Sequence, residues 1–216
     1  EAVVLAAKGY DGTPHLAARQ ITSPRHLDDI LLRLRRRAVD RVLVVEGRDG
    51  SSAAFRHSAR LLAVMSDHPN APSAVGIAGH PEGHAGYDAA ELTESLLERS
   101  AFASFVSTRL SLNPVRLLGW LAEMRVRGLS IPVEAGVPGT VRFDDLVSED
   151  PSLAPQDRGR TAGWYDPTPL VVDLARQQVV ERLGLAGLRV DTFNHIHATA
   201  AWRQGLYDLS QQTRSA

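Results

Sequence analysis

The chain alternates short apolar runs with longer stretches of helical period, and this alternation predicts parallel βα units. The apolar runs have the length of strands, and polar or Gly residues follow them, as expected of strands that are covered on both faces. The six strand candidates are Pro14–Ile21, Arg41–Glu46, Ala74–Gly79, Ala103–Thr108, Ile131–Gly136 and Leu188–Phe193. The sequence therefore predicts an α/β fold.

Two dipeptides mark the beginnings of helices between these strands. Ser23-Pro24 and Asn113-Pro114 each place a capping side chain before a proline at the first helical position. Gly128 is placed to end the second of these helices, because glycine readily adopts the left-handed conformation that follows many helix ends.

Six βα units fit either an open doubly wound sheet or most of a barrel. Polar or Gly-containing segments follow strand after strand along the whole chain, whereas an open sheet concentrates its site at one switch point. No G-x-G-x-x-G turn is present for a dinucleotide. We therefore predict a (β/α)₈ TIM barrel whose first two βα units are missing from this chain. Residues 1–216 form its single domain, with 143–163 as a mobile loop or a loop plus a short helix.

Composition narrows the classes of partner. A net charge of −1 with 23% charged residues gives no field for collecting nucleic acid or binding an acidic membrane. The absence of cysteine excludes disulfides and thiolate chemistry, and the cytoplasm is the expected compartment. Small molecules or further copies of the chain are the expected partners. Because Glu1 rather than Met comes first, we also expect sequence upstream.

The densest polar cluster is His80-Pro81-Glu82-Gly83-His84, which follows the third strand candidate. Two imidazoles and a carboxylate could ligate a metal, move protons or hydrogen-bond a bound heterocycle. A loop held by its own hydrogen bonds is the structural alternative. The spacing lies on a loop rather than a helix face, so contact with a small molecule is favoured over a metal site.

Two further segments carry candidate chemistry. Arg109 ends a strand, where a guanidinium can hold a carboxylate or phosphate, or can pair with a neighbouring loop. His195-Ile196-His197 is similar to the H-x-H pair of metal-dependent hydrolases, but it follows the last strand rather than lying on the first. Its alternative role is to begin the final helix. Asp88 and Glu91 are spaced as a capping box.

Five segments lie at the predicted strand ends: Thr13-Pro14-His15-Leu16, Ala78-Gly79-His80-Pro81-Glu82-Gly83-His84, Val106-Ser107-Thr108-Arg109, Ala135-Gly136-Val137-Pro138-Gly139 and Thr192-Phe193-Asn194. In order and in spacing they together resemble the methylenetetrahydrofolate reductase family. The resemblance implies a barrel that reduces a methylene-bearing folate to a methyl-folate with hydride from a nicotinamide, usually relayed through FAD. The C-terminal segments are most similar to actinobacterial members, some of which are regarded as flavin-independent.

The resemblance also implies roles for individual residues. Six positions match places that contact the flavin, or the nicotinamide in flavin-free members: His15, Gly47, Asp49, His80, His84 and Glu91. Three more face the substrate side: Arg109, Asn194 and His195.

Departures from the family pattern concentrate at the same sites. Glu98 stands where the family places a Lys for the flavin phosphate, and a carboxylate there would repel that phosphate. Arg109 replaces a Gln that reads the pterin edge, and His195 replaces an Arg or Gln near the folate. The family's catalytic acid lies on a first strand upstream of this chain, so the catalytic residue is unknown.

The leading hypothesis is a methylenetetrahydrofolate reductase-like oxidoreductase that uses NADH or NADPH without tightly bound FAD and binds no metal. A second hypothesis is a catalytically altered paralogue that binds folate or another ligand as a regulatory or partner subunit. A third is a metal-dependent hydrolase that uses His80, His84, His195 and His197.

Overall fold

A computed structural model describes residues 12–48, 53–149, 163–181 and 183–214. The strands are β1 (His15–Ala17), β2 (Arg41–Val45), β3 (Ala74–Gly79), β4 (Phe105–Leu110), β5 (Val133–Pro138), β6 (Val141–Arg142), β7 (Trp164–Tyr165) and β8 (Leu185–Asp191). The helices are α1 (Pro24–Arg36), α2 (Ser58–Ser66), α3 (Ala89–Ser100), α4 (Pro114–Val126), α5 (Phe143–Glu149), α6 (Thr168–Glu181) and α7 (Ile196–Arg214).

The six predicted strands form one parallel sheet in the order β1-β2-β3-β4-β5-β8. The prediction of an α/β fold built on parallel strands is confirmed, with shifted boundaries. The last strand begins at Leu185 because that residue pairs with Val133 of β5, and the first ends at Ala17, where a 3₁₀ turn begins. Strands β6 and β7 form a separate antiparallel pair.

Helices α1 and α4 begin where the local signals placed them. The Ser23 side chain accepts a hydrogen bond from the backbone N–H of His26 at 3.1 Å, and that of Asn113 accepts one from Arg116 at 3.1 Å. Gly128 follows the end of α4 with φ +99°. Capping by a short polar side chain is decided within four residues, which is why sequence alone located these starts.

Two apolar clusters hold the layers together. The main core lies between the sheet and the helices and includes Val44, Ile77, Val106 and Leu121. A second cluster forms around α5 and consists of Leu110, Val141, Phe143 and Leu146, with Phe193 and three other partly buried residues packed against it. The α5 helix occupies residues 143–149 of the predicted mobile loop, and residues 150–162 lie outside the described part of the chain.

The sheet is curved, and polar side chains occupy its concave face. His15 of β1 lies near enough to Arg189 and Asp191 of β8 for their charges to act on its pKa, which burial chiefly lowers. In a flat sheet the five intervening steps would separate β1 from β8 by about 24 Å. The two outer strands therefore approach each other.

Lower on the concave face, Arg41 crosses from β2 to β5. Its Nη2 atom donates to Glu134 Oε1 at 2.8 Å, and its guanidinium lies 3.7 Å from the centre of the Phe105 ring. Gly76 makes room for this arrangement, because a Cβ atom there would lie 2.2 Å from Cζ of Phe105.

No helix in the described ranges is long and apolar enough to cross a membrane.

The packing of Phe105 on Gly76 predicts opposite effects for two glycine substitutions. Gly76→Ala should destabilise the fold by about 1–3 kcal/mol, because the Phe105 ring must move off its position over Arg41. Gly119→Ala is the matched control, since nothing lies within 4 Å of its Cβ position and alanine favours a helix by about 0.5–1 kcal/mol. Urea unfolding measures both. Equal stabilities for the two variants would contradict the packing argument.

Candidate functional site

The site is built at the carboxyl ends of the parallel strands, starting with His80 directly after β3. This half-buried imidazole has its pKa lowered to about 4, chiefly by burial and further by His84, Arg99 and Arg109. The exposed His84 ring meets it edge-on, with ring centres 5.2 Å apart. Nδ1 of His80 is buried and has no hydrogen-bond partner among the described residues. His80 is therefore neutral at physiological pH, and its Nδ1 atom is shielded from solvent.

Glu82, the carboxylate of the same cluster, has a structural role. Its Oε1 accepts from the buried Ser111 hydroxyl at 2.5 Å, and its Oε2 lies 3.1 Å from Nη1 of Arg116 in α4. These contacts tie the loop after β3 to the beginning of α4. Within the described residues, no group of three or more His, Asp or Glu side chains is arranged to hold a metal ion.

Arg109 connects this cluster to the last strand. It lies near the end of β4 with an exposed side chain, and its charge acts on the pKa of both His80 and Asp191. The predicted placement of Arg109 at the end of its strand is confirmed. Side chains from β4, β8 and the residue after β3 therefore share one region of the concave face.

Arg189 and Asp191, both on β8, belong to this region and were not singled out from the sequence. Arg189 donates to the two carboxylate oxygens of Asp191 at 2.9 and 3.0 Å, and to the Thr108 carbonyl at 3.0 Å. Burial raises the pKa of Asp191, although Arg189, His15 and Arg109 act against that shift. The available signal was two charged residues at i and i+2 in an apolar strand, which places both on one face.

The segment after β2 contains Gly47, a further candidate position. Gly47 has φ +80°, and a Cβ atom there would lie 2.7 Å from that of Ala17, so both its conformation and its neighbour require glycine. Glu46 accepts from the backbone N–H and the hydroxyl of Ser58 at 3.0 and 2.6 Å, which holds the first turn of α2. Asp49 lies outside the described residues.

Glu91 forms the predicted capping box with Asp88. The Asp88 side chain accepts from the Glu91 N–H at 2.7 Å, and the Glu91 side chain accepts from the Asp88 N–H at 3.0 Å. The side chain thus stabilises the start of α3, and its implied contact with a cofactor stays a prediction. Glu98 is exposed on the same helix.

The residues after β8 lie against α5 and β7. Nε2 of His195 is 2.7 Å from Oδ2 of Asp145, and the His195 ring meets Trp164 edge-on at 5.0 Å between ring centres. Phe193 and the exposed Asn194 both have positive φ, at 46° and 66°. His195 directly precedes α7, so its segment begins the final helix, and its implied contact with substrate stays a prediction.

Comparison with known proteins supports part of this interpretation. The chain matches no family model. Over 106 residues it is 26% identical to methylenetetrahydrofolate reductase 1 of Schizosaccharomyces pombe, a match that covers 47% of this chain and 17% of that protein. This distant similarity agrees with the resemblance to the reductase family. It does not distinguish actinobacterial or flavin-independent members.

A solved structure shares the fold. The chain superimposes with a TM-score of 0.54 and 9% identity, over 95% of its length and 98% of the other, on an uncharacterized protein from Clostridium thermocellum that binds two copies of 5-methyl-5,6,7,8-tetrahydrofolic acid. At this identity the likeness concerns the fold alone.

The environment of His80 predicts a pH dependence of stability. Because its pKa is about 4 in the folded protein and near 6.5 when unfolded, the neutral ring favours the folded state. That contribution is complete above about pH 6.5 and is lost as the pH falls towards 4. NMR titration of the His80 ring should give a midpoint near 4.

Denaturant unfolding across the same pH range provides the energetic check. His80→Asn should flatten the stability loss between pH 6.5 and 4, whereas His57→Asn, which alters an exposed histidine before α2, should leave the profile of the parent protein in place. A His80 midpoint above 6 would contradict the burial of a neutral imidazole.

Proposed function

We propose that this chain is part of a methylenetetrahydrofolate reductase-like oxidoreductase, which binds a reduced folate at the carboxyl ends of its strands and reduces it with NADH or NADPH. The observation that carries the proposal is that Arg109, near the end of β4, lies close enough to both His80 and Asp191 for its charge to act on the pKa of each. The 26% identity to a methylenetetrahydrofolate reductase over 106 residues supports the same class of substrate.

We further propose that the sheet belongs to an eight-stranded barrel, with two more βα units between β8 and β1. The approach of His15 to Arg189 and Asp191 supports this, because it brings the outer strands to the two sides of one gap. Exposure of Leu188 to 38% supports it as well, since a barrel strand is normally covered on its outer face. The resemblance places the family's acid on one of those additional strands.

The chemistry required of the described residues is recognition and orientation. The methylene carbon of the substrate gains a hydride from the dihydronicotinamide while its bond to one ring nitrogen breaks, and that nitrogen takes up a proton. The neutral His80 can hydrogen-bond an uncharged ring, and Arg109 can donate to an oxygen of the folate or of the nicotinamide carboxamide. Both bonds would hold the two rings in register for transfer.

The proposal excludes tightly bound FAD. Glu98 is exposed on α3 at the position where the family uses a Lys for the flavin phosphate. A carboxylate there repels the phosphate rather than pairing with it. A nicotinamide that binds and leaves in each turnover needs no such permanent phosphate contact.

A folate-binding paralogue without reductase activity is the second candidate. The solved protein that shares the fold is described as binding 5-methyl-5,6,7,8-tetrahydrofolic acid, with no reaction named. The contacts of His195 with Asp145 and Trp164 also favour this candidate, because they occupy the side chain that the resemblance assigns to the folate.

Two measurements on the full-length gene product separate these candidates. We expect 5-methyltetrahydrofolate to bind in calorimetry, and methylenetetrahydrofolate to support NADH or NADPH oxidation by the colourless protein. Binding without turnover would favour the paralogue. If the protein shows no binding and no turnover, both candidate functions are refuted. Copurification of yellow FAD would contradict the role given to Glu98.

A substitution at the site tests the same proposal. Arg109→Ala should weaken binding of 5-methyltetrahydrofolate by about 10- to 100-fold, because a hydrogen bond from a charged group contributes about 1.5–3 kcal/mol. Arg127→Ala is the control, since Arg127 makes an exposed ion pair with Glu123 on α4, away from the concave face. Equal effects of the two substitutions would remove Arg109 from the site.

A further inference from the structure

We infer that Asp191 is the carboxylate that binds the ligand's paired N–H donors, and that Arg189 is the positioning residue that fixes it. This rests on the proposed folate function, because the aminopyrimidinone edge of a pterin presents an amino group beside a ring N–H. A carboxylate accepts such a pair through its two oxygens in parallel hydrogen bonds.

Asp191 is placed to make this contact. It is the last residue of β8, and alternation along the strand places it with Arg189 on the concave face. Its side chain is 29% exposed, so a ligand can reach it. Arg189 donates one hydrogen bond to each carboxylate oxygen of Asp191. Each oxygen of an ionised carboxylate has a second lone pair that can accept another hydrogen bond.

Arg189 is itself fixed from two sides. Its Nη2 atom donates to the Thr108 carbonyl of β4 as well as to Asp191. It lies over Gly136 of β5, where a Cβ atom would come within 2.8 Å of that nitrogen. The guanidinium therefore occupies a space that the neighbouring strands leave open for it, and it sets the plane of the Asp191 carboxylate.

Other carboxylates near these strand ends are engaged elsewhere. Glu82 uses both oxygens, on Ser111 and Arg116. Glu46 uses Oε1 on Ser58, and its Oε2 is buried from solvent. Glu134 is paired with Arg41 lower on the concave face. Among these four carboxylates, Asp191 is the one whose two oxygens are both bound by a single guanidinium, which holds them in one plane.

The neighbours of Asp191 suit a ring that carries both donors and acceptors. Arg109 can only donate, and the ring carbonyl beside the N–H is an acceptor. Ser107, two residues before Arg109 on β4, is 4% exposed and has a hydroxyl oxygen with no hydrogen-bond partner among the described residues. The unpartnered Nδ1 of His80 lies at the same end of the sheet. The Ser107 and His80 atoms are shielded from solvent, so the exposed Arg109 is the neighbour that a ring carbonyl can reach.

The test compares two ligands with the full-length protein. One is 5-methyltetrahydrofolate and the other is its analogue in which the 2-amino group is replaced by methyl. Calorimetry with wild type should show the analogue binding about 10- to 100-fold more weakly, as expected when a buried charged acceptor loses one donor. Asp191→Asn should lose a similar factor for 5-methyltetrahydrofolate and should discriminate between the ligands by less than about threefold.

Matched variants separate positioning from a general loss of structure. Asp40→Asn alters an exposed carboxylate that binds Ser73 at the other end of the sheet, and it should bind both ligands as wild type does. Arg189→Ala should weaken 5-methyltetrahydrofolate selectively, and Arg189→Lys should restore part of the loss. A structural defect alone would weaken both ligands equally.

Two different results would show whether the role of Asp191 or the proposed folate function is wrong. If wild type binds 5-methyltetrahydrofolate and Asp191→Asn retains both affinity and discrimination, Asp191 is not the recognition residue and the inference is wrong. If wild type binds neither ligand, the proposed folate function fails and the inference fails with it.

Discussion

Close packing on the concave face of the sheet is the constraint on which the rest of this structure depends. The inner face of a curved sheet has less room than its outer face. A large side chain therefore fits there only where the neighbouring strand has a glycine, which has no side chain. Gly76 leaves space for the Phe105 ring under Arg41, and Gly136 leaves space for the Arg189 guanidinium. These two glycines thereby determine that Arg41 and Arg189 can lie on the concave face, and hence where the candidate site forms.

The site differs in character from the core that supports it. The main core is apolar and lies between sheet and helices, whereas the concave face contains two ion pairs, Arg41 with Glu134 and Arg189 with Asp191. Pairing with an opposite charge lowers the free-energy cost of placing a charged side chain in a confined space. Burial raises the pKa of Asp191 and lowers the pKa of His80. Burial therefore favours the neutral form of His80, whereas the pair with Arg189 favours the charged carboxylate of Asp191.

Sequence alone located the six strands of the main sheet, with shifted boundaries, and the capped helix starts, because those features depend on neighbours within a few residues. The caps at Ser23, Asn113 and Asp88 are of this kind. Contacts between distant segments were not predictable: His195 binds Asp145, 50 positions away, and Arg41 meets Glu134, 93 positions away. Such pairs depend on how the sheet curves, which no local pattern encodes. Arg189 and Asp191 were visible as alternating charges, but their importance depends on Thr108 and Gly136 beside them.

The small cluster around α5 has a consequence for how such a protein can diversify. Its buried members, Leu110, Val141, Phe143 and Leu146, are separate from the buried residues of the main core. The Asp145–His195 contact nevertheless joins this cluster to the segment that leaves the last strand of the sheet. Substitutions in α5 therefore act on this small cluster and on the surroundings of His195, and only through Leu110 on the main sheet. Natural selection could alter this appendage separately from the buried residues of the main core.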